Sequence, residues 1–210
     1  MTDQTLMEVL QYAVAEAPDL GATWPSGLWS QTEVLAYLNE RQNKLLKQTG
    51  LLLGVADLPA PAGQARIALP QDWLLTADVV WVSQDGYIRA LERSDTYEAD
   101  NALGAWEGTP GTPIVYMDYD PPALEVQIAP TPNVGGRILL LYAAQGSPLT
   151  GDGEWITLPG TFQRPVLKYS VLASMLQKDG RGKNVGKAQY CQMRESLGVQ
   201  LAAILLNGGV

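Results

Sequence analysis

Asp118, Asp120 and Glu125 cluster around one turn and are the first residues whose types could do chemistry. Paired carboxylates facing each other across a sugar are what a glycosidase requires, and Asp118 and Asp120 alternate at a strand end. Pro121-Pro122 follows at once, and acidic residues before a proline turn are ordinary turn chemistry. A second group, Lys178, Arg181, Lys183 and Lys187, gathers positive charge in LQKDGRGKNVGK. Its Gly182-Lys183 pair invites a phosphate-loop reading, which fails. The earlier glycine would fall at Gln177, Asn184 replaces the hydroxyl residue, and a helix precedes where a strand is needed. What remains is an exposed basic hairpin, or a contact for DNA or an acidic partner surface. Trp73, Trp81, Trp106 and Trp155 fall in or beside a strand-rich region. Aromatics there could stack sugars, which makes a carbohydrate-binding or tail-associated binding module the alternative function, although aromatics on strands usually pack and Trp81 reads as core. Cys191, beside Tyr190 in a helical stretch, reads as an inert, buried or half-buried thiol. Histidine is absent, which removes the commonest general base near neutral pH and the commonest transition-metal ligand. No catalytic motif, cofactor site or metal site is expected.

The elements that must position these residues begin with 29–50, WSQTEVLAYLNERQNKLLKQTG. Ser30 is an N-cap and Glu33 completes a capping box. Val34, Leu35, Leu38, Leu45 and Leu46 then recur at helical spacing, and Gly50 is a stop. An earlier helix spans 5–17, with a linker over 19–28. Residues 51–55 read as a broken continuation of the central helix, and Pro59, Pro61 and Gly63 end it. From 65 to 156 short strands and turns take over, with Asp85-Gly86 as a hairpin signal. Helical periodicity returns after Pro159, in a helix capped by Thr161 and a last helix over 183–206. In that last helix Tyr190, Met193, Leu197, Leu201 and Leu205 form the apolar line. The expected fold is α+β, an antiparallel bundle of two N-terminal and two C-terminal helices with a β-rich sandwich or partial-barrel insert. Its expected divisions are 1–60, 61–158 and 159–210.

The chain has 210 residues, 46% of them hydrophobic, enough for a substantial core. No apolar run approaches the roughly 18 residues of a membrane span, so no membrane partner is expected. The start, MTDQTLMEVL, has neither the basic opening nor the cleavage site of a signal peptide. One cysteine cannot form an internal disulfide, and synthesis in a reducing cytoplasm is expected. A net charge of −8 is the wrong sign for gripping nucleic acid. It does suit a wall past which DNA slides without sticking.

Several stretches, in order, carry a family resemblance: WSQTEVLAYLNE at 29–40, PTPNVGGRILLLY at 130–142, and ITLP at 156–159 leading into the helix from Phe162. Together they resemble the head–tail adaptor (connector, or neck) proteins of tailed bacteriophages, above all those of short-tailed phages with a β insert. The resemblance implies a virion protein of the neck, made in the host bacterial cytoplasm. It implies a homo-oligomeric ring of about a dozen copies, a dodecamer, bound beneath the portal and meeting tail or nozzle proteins around the DNA channel. It also implies that the C-terminal tail, Leu205, Leu206, Asn207, Gly208, Gly209 and Val210, docks into the portal.

Overall fold

Caps decide where the central helix begins and ends. Ser30 has an extended backbone, and its Oγ accepts from the Glu33 amide at 3.1 Å. Gly50 takes the left-handed conformation (φ 62°), and its amide closes on Leu46 O. Between them α2 runs Gln31–Thr49, burying Val34, Leu38, Leu45 and Leu46 together with Gln42. Only half of the expected capping box forms, because the Glu33 carboxylate is engaged elsewhere, by Tyr37 Oη at 3.1 Å and Lys178 Nζ at 2.6 Å.

The computed structural model describes residues 1–14, 29–106, 108–118, 124–180 and 183–207. The expected linker at 19–28 lies outside them. The chain divides into two compact units, one from Met1–Leu52 with Gln145–Val210, the other Leu53–Ala144.

The first unit contains α1 (Asp3–Val14), α2 and two later helices. The first of these, α4, covers 160–177 as an α-turn (Gly160–Phe162), a π-helical segment (Gln163–Leu167) and an α-helix (Lys168–Gln177). Pro165 lies inside the π-helical segment. Proline has no amide to donate and its ring crowds the preceding turn, which makes it a usual site for such a widening. The Thr161 cap is not formed; Pro159 precedes the first turn without a side-chain cap. The last helix, α5, runs Val185–Asn207. Asn184 caps it, its Oδ1 accepting from the Lys187 amide at 2.9 Å. Helix α1 packs on α4, α2 on both α4 and α5, and α4 on α5.

Between these helices the segment 145–158 is held by side chains reading its backbone. Asn39 Nδ2 donates to Leu149 O (2.9 Å) and Asn39 Oδ1 accepts from Leu149 N (2.8 Å). Gln42 bridges Ser147 O and Thr157 N. Asn43 Oδ1 takes Gly146 N, and Gln163 Nε2 reaches Leu158 O. From α1, the buried Asp3 accepts the amides of Gly151 (2.8 Å) and Gly153 (3.2 Å). Burial pushes the Asp3 carboxyl up, while Glu154, bonded by Thr150 and then Asp3, is held down to about 2.

In the second unit, strand β1 (Leu53–Ala60) replaces the expected broken helix, since the Gly50 cap has already turned the chain. It pairs in a sheet of order β1-β8-β3-β4, with β3 at Trp73–Ser83, β4 at Ile88–Ala90 and β8 at Gly136–Ala144. The expected hairpin forms between β3 and β4. A second sheet has order β2-β7-β6-β5, from Arg66–Ala68, Glu125–Ala129, Val115–Met117 and Glu92–Arg93. Helix α3 (Thr96–Leu103) covers one face of that sheet, where Ala99 and Trp106 pack with Met117 and Ala129. Gly136 lets β8 approach β3: a Cβ there would lie 2.5 Å from Val82 O and 2.8 Å from the Trp81 ring.

The expected bundle of two N-terminal and two C-terminal helices with one β-rich insert is therefore corrected. The fold is α+β, with five helices and two four-stranded sheets among the described residues. One helix, α3, sits with the strands. Tyr190, Met193, Leu197 and Leu201 of α5, which a four-helix core would have placed inside, face outward.

Candidate interaction surfaces

The seat of α5 explains its outward line. Ala188, Cys191, Glu195 and Ala202 are buried, and Gly198 lies against Val166 of the π-helical segment. A Cβ on Gly198 would fall inside the contact distance of three Val166 carbons. Small side chains thus let α5 lie close, and Glu195 is anchored by Lys44 Nζ at 2.9 Å. The larger apolar side chains point away: Tyr190, Met193, Leu197, Leu201 and Ile204 are 49 to 65% exposed. At 100° per residue they occupy one stripe, roughly opposite the seat. Tyr190 also stands edge-on to Tyr169, with centroids 6.0 Å apart. Cys191 is buried as expected, and that burial pushes its thiol up.

The basic turn is largely spent on local pairs. Lys178 binds Glu33, and Lys183 Nζ binds Asp179 at 2.6 Å. Lys187 is exposed, and Arg181 lies outside the described residues. In the tail, Leu205, Leu206 and Asn207 continue the α5 backbone, and Gly208, Gly209 and Val210 lie outside. A groove of about 390 Å³ opens between α2, α4 and α5, lined by Arg41, Lys44, Gln177, Gln192 and Glu195 among others. Lys44 there is paired with Glu195, and Arg41 Nε is buried without a hydrogen-bond partner among the described residues.

Of the three carboxylates, Asp118 is held in an ion pair. The Asp118 side chain is 2% exposed, and its Oδ1 accepts from Arg93 Nε (3.1 Å) and Nη2 (2.8 Å). Glu125 opens β7, and Asp120 lies outside the described residues. Among the tryptophans, Trp81 and Trp106 are buried, with Trp106 Nε1 donating to Asp100. Trp73 donates to Thr76, and Trp155 is exposed. Neither buried indole can stack a ligand.

Sequence reasoning missed the amide side chains Asn39, Gln42, Asn43 and Gln163, and the outer face of the first sheet described below. Among the described residues no helix is long and apolar enough to cross a membrane. Compared with known proteins, residues 4–203 match the family model described as SU10 adaptor protein. No curated protein matches the chain.

Proposed function

The chain belongs to the SU10 adaptor protein family, a family of phage head–tail adaptors, and from that premise we propose that it forms a ring joining the portal to tail components around the DNA channel. The observation that carries this is the outward stripe of α5, a row of large apolar side chains on a surface helix. Contiguous exposed apolar surface of this kind marks contact with other proteins. The acidic balance, net charge −8, fits a conduit that repels DNA better than a clamp that holds it. In this role the chain takes no cofactor and does no catalysis, and Lys187 with Arg181 makes at most unspecific contacts to DNA or to an acidic partner.

The C-terminal residues Leu205 to Val210 are the segment proposed to dock into the portal. Electron microscopy of the chain mixed with portal particles should show added ring density, and particles without it would overturn the proposal. Deleting 203–210 should abolish docking while the circular dichroism spectrum is kept, because a terminal segment contributes little to a core.

A further inference from the structure

We propose that the outer face of the first sheet in one copy seats on the α5 stripe of the next, so that copies associate head to tail. This rests on the ring function above and names the surfaces that would close it. Strands β3 and β8 read WLLTADVVWVS and GRILLLYAA, near-continuous apolar runs of the kind found where both faces of a sheet are covered. Only one face is. Val79, Trp81, Ile138, Leu140 and Tyr142 are buried on the inner side. On the outer side, Val80 and Val82 of β3 and Leu139 and Leu141 of β8 are half-buried. Val55 of β1 and Ile88 of β4 are 75% and 67% exposed. The register places them side by side: Val55 opposite Leu141, Leu139 opposite Val80, Val82 opposite Ile88. The result is an apolar band across all four strands.

The same chain therefore carries two unlike apolar surfaces, a sheet face and a helix stripe. Helix on sheet is one of the few stable layer packings. The dimensions agree. Residues 190–204 span about 21 Å at 1.5 Å per residue, and four strands about 4.8 Å apart give a face roughly 14 to 19 Å across. The charges also agree. Lys187 and Arg194 flank the stripe on one side. The sheet face carries Asp57 and Asp78 against a single Arg137, which pairs with Asp57 at 2.6 Å. Two different surfaces meeting make a heterologous contact, the kind that propagates into rings. Sheet-to-sheet or helix-to-helix pairing would each leave the other surface bare. A helix stripe about 10 Å wide falls well short of the roughly 800 Å² per partner of standard interfaces. A single contact is therefore weak, and copies accumulate where they are concentrated.

Complementation between variants of the full chain tests this. Val55→Asp and Leu197→Asp each place a charge on one surface at an exposed position, where folding survives and circular dichroism checks it. By sedimentation velocity at high concentration, each variant alone should self-associate at least about tenfold more weakly than wild type, since one charge buried in an apolar contact costs that much. An equimolar mixture should recover a heterodimer and nothing larger, because each variant supplies the surface the other lacks. Wild-type association by either variant alone, or a mixture that stays monomeric beside a self-associating wild type, overturns the inference. Where wild type is monomeric in solution, the readout is ring density on portal particles. There both variants should fail to complete a ring. Complete rings from either one would overturn this contact and leave the ring function standing, whereas no ring from wild type removes both.

Discussion

Replacing Gln42 tests whether polar side chains, and not the apolar stripe of α2 alone, hold the helical unit together. Gln42 is fully buried. Its Nε2 donates to Ser147 O at 3.1 Å, and its Oε1 accepts from Thr157 N at 3.0 Å. The fit leaves no slack: a Cβ on Gly146 would meet the Gln42 amide group and Leu46 Cδ1. Gln42→Ala orphans one amide and one carbonyl, at about 1–3 kcal/mol each when buried, and opens a small cavity costing about 1 kcal/mol more. The sum is about 3–7 kcal/mol. Gln42→Leu nearly preserves the volume and isolates the polar part, so about 2–6 kcal/mol is expected. Urea melts followed by the helical far-UV signal measure both. At roughly 2–4 °C per kcal/mol for a chain of this size, Gln42→Ala should lower the melting temperature by about 6–28 °C. A Gln42→Leu variant within about 0.5 kcal/mol of wild type, the range of an inconsequential surface change, would refute the reasoning and make the clamp mere packing.

Further outcomes follow from other contacts. The Glu33 carboxyl lies below its ordinary value of 4.5, chiefly through the hydrogen bond from Lys178. A lowered folded pKa stabilises above the unfolded value and is lost as pH falls through the folded one. The stability gap between wild type and Glu33→Gln should therefore narrow as pH drops below 4.5, and melts giving a pH-independent gap would contradict this. Gly198→Ala should cost about 1–3 kcal/mol by forcing α5 off Val166, readable as a lower urea midpoint. Leu38→Ala, in the core, should cost about 2–5 kcal/mol, whereas Leu197→Ser on the stripe should stay within about 0.5 kcal/mol. Equal losses for these two in thermal melts would place the stripe inside.

Where local chemistry decides an element, the sequence was enough. Ser30 and Gly50 bound α2 because a hydroxyl at the N-cap and a left-handed glycine at the C-cap act on their own neighbours. Asp85-Gly86 likewise announces the β3–β4 hairpin. What failed depended on distant partners. Residues 51–55 looked like a broken continuation of α2 because the pairing of Leu53–Ala60 with β8 lies some eighty positions away. The amides of Asn39, Gln42 and Asn43 looked like ordinary polar positions of a helix, because the backbone they bind is more than a hundred residues off.

The misreading of α5 is the most informative. Its large apolar residues, at 190, 193, 197 and 201, were placed inward because an amphipathic helix normally buries its bulk. A second row, Ala188, Cys191, Gly198 and Ala202 with Glu195 among them, keeps helical spacing too. Small residues bury little area but allow close approach, so it is this row that meets α4, and the bulky row is left outside. Both rows are visible in the sequence, and periodicity alone cannot rank them. Local rules are expected to break where a surface serves something other than the chain's own stability. For a monomer, exposing the bulky row on α5 and a valine-leucine band on the first sheet is a liability, since both invite association. A chain that works as one member of an assembly keeps such surfaces because its neighbours cover them. The place where the sequence misled about the fold is therefore the place on which the proposed association rests.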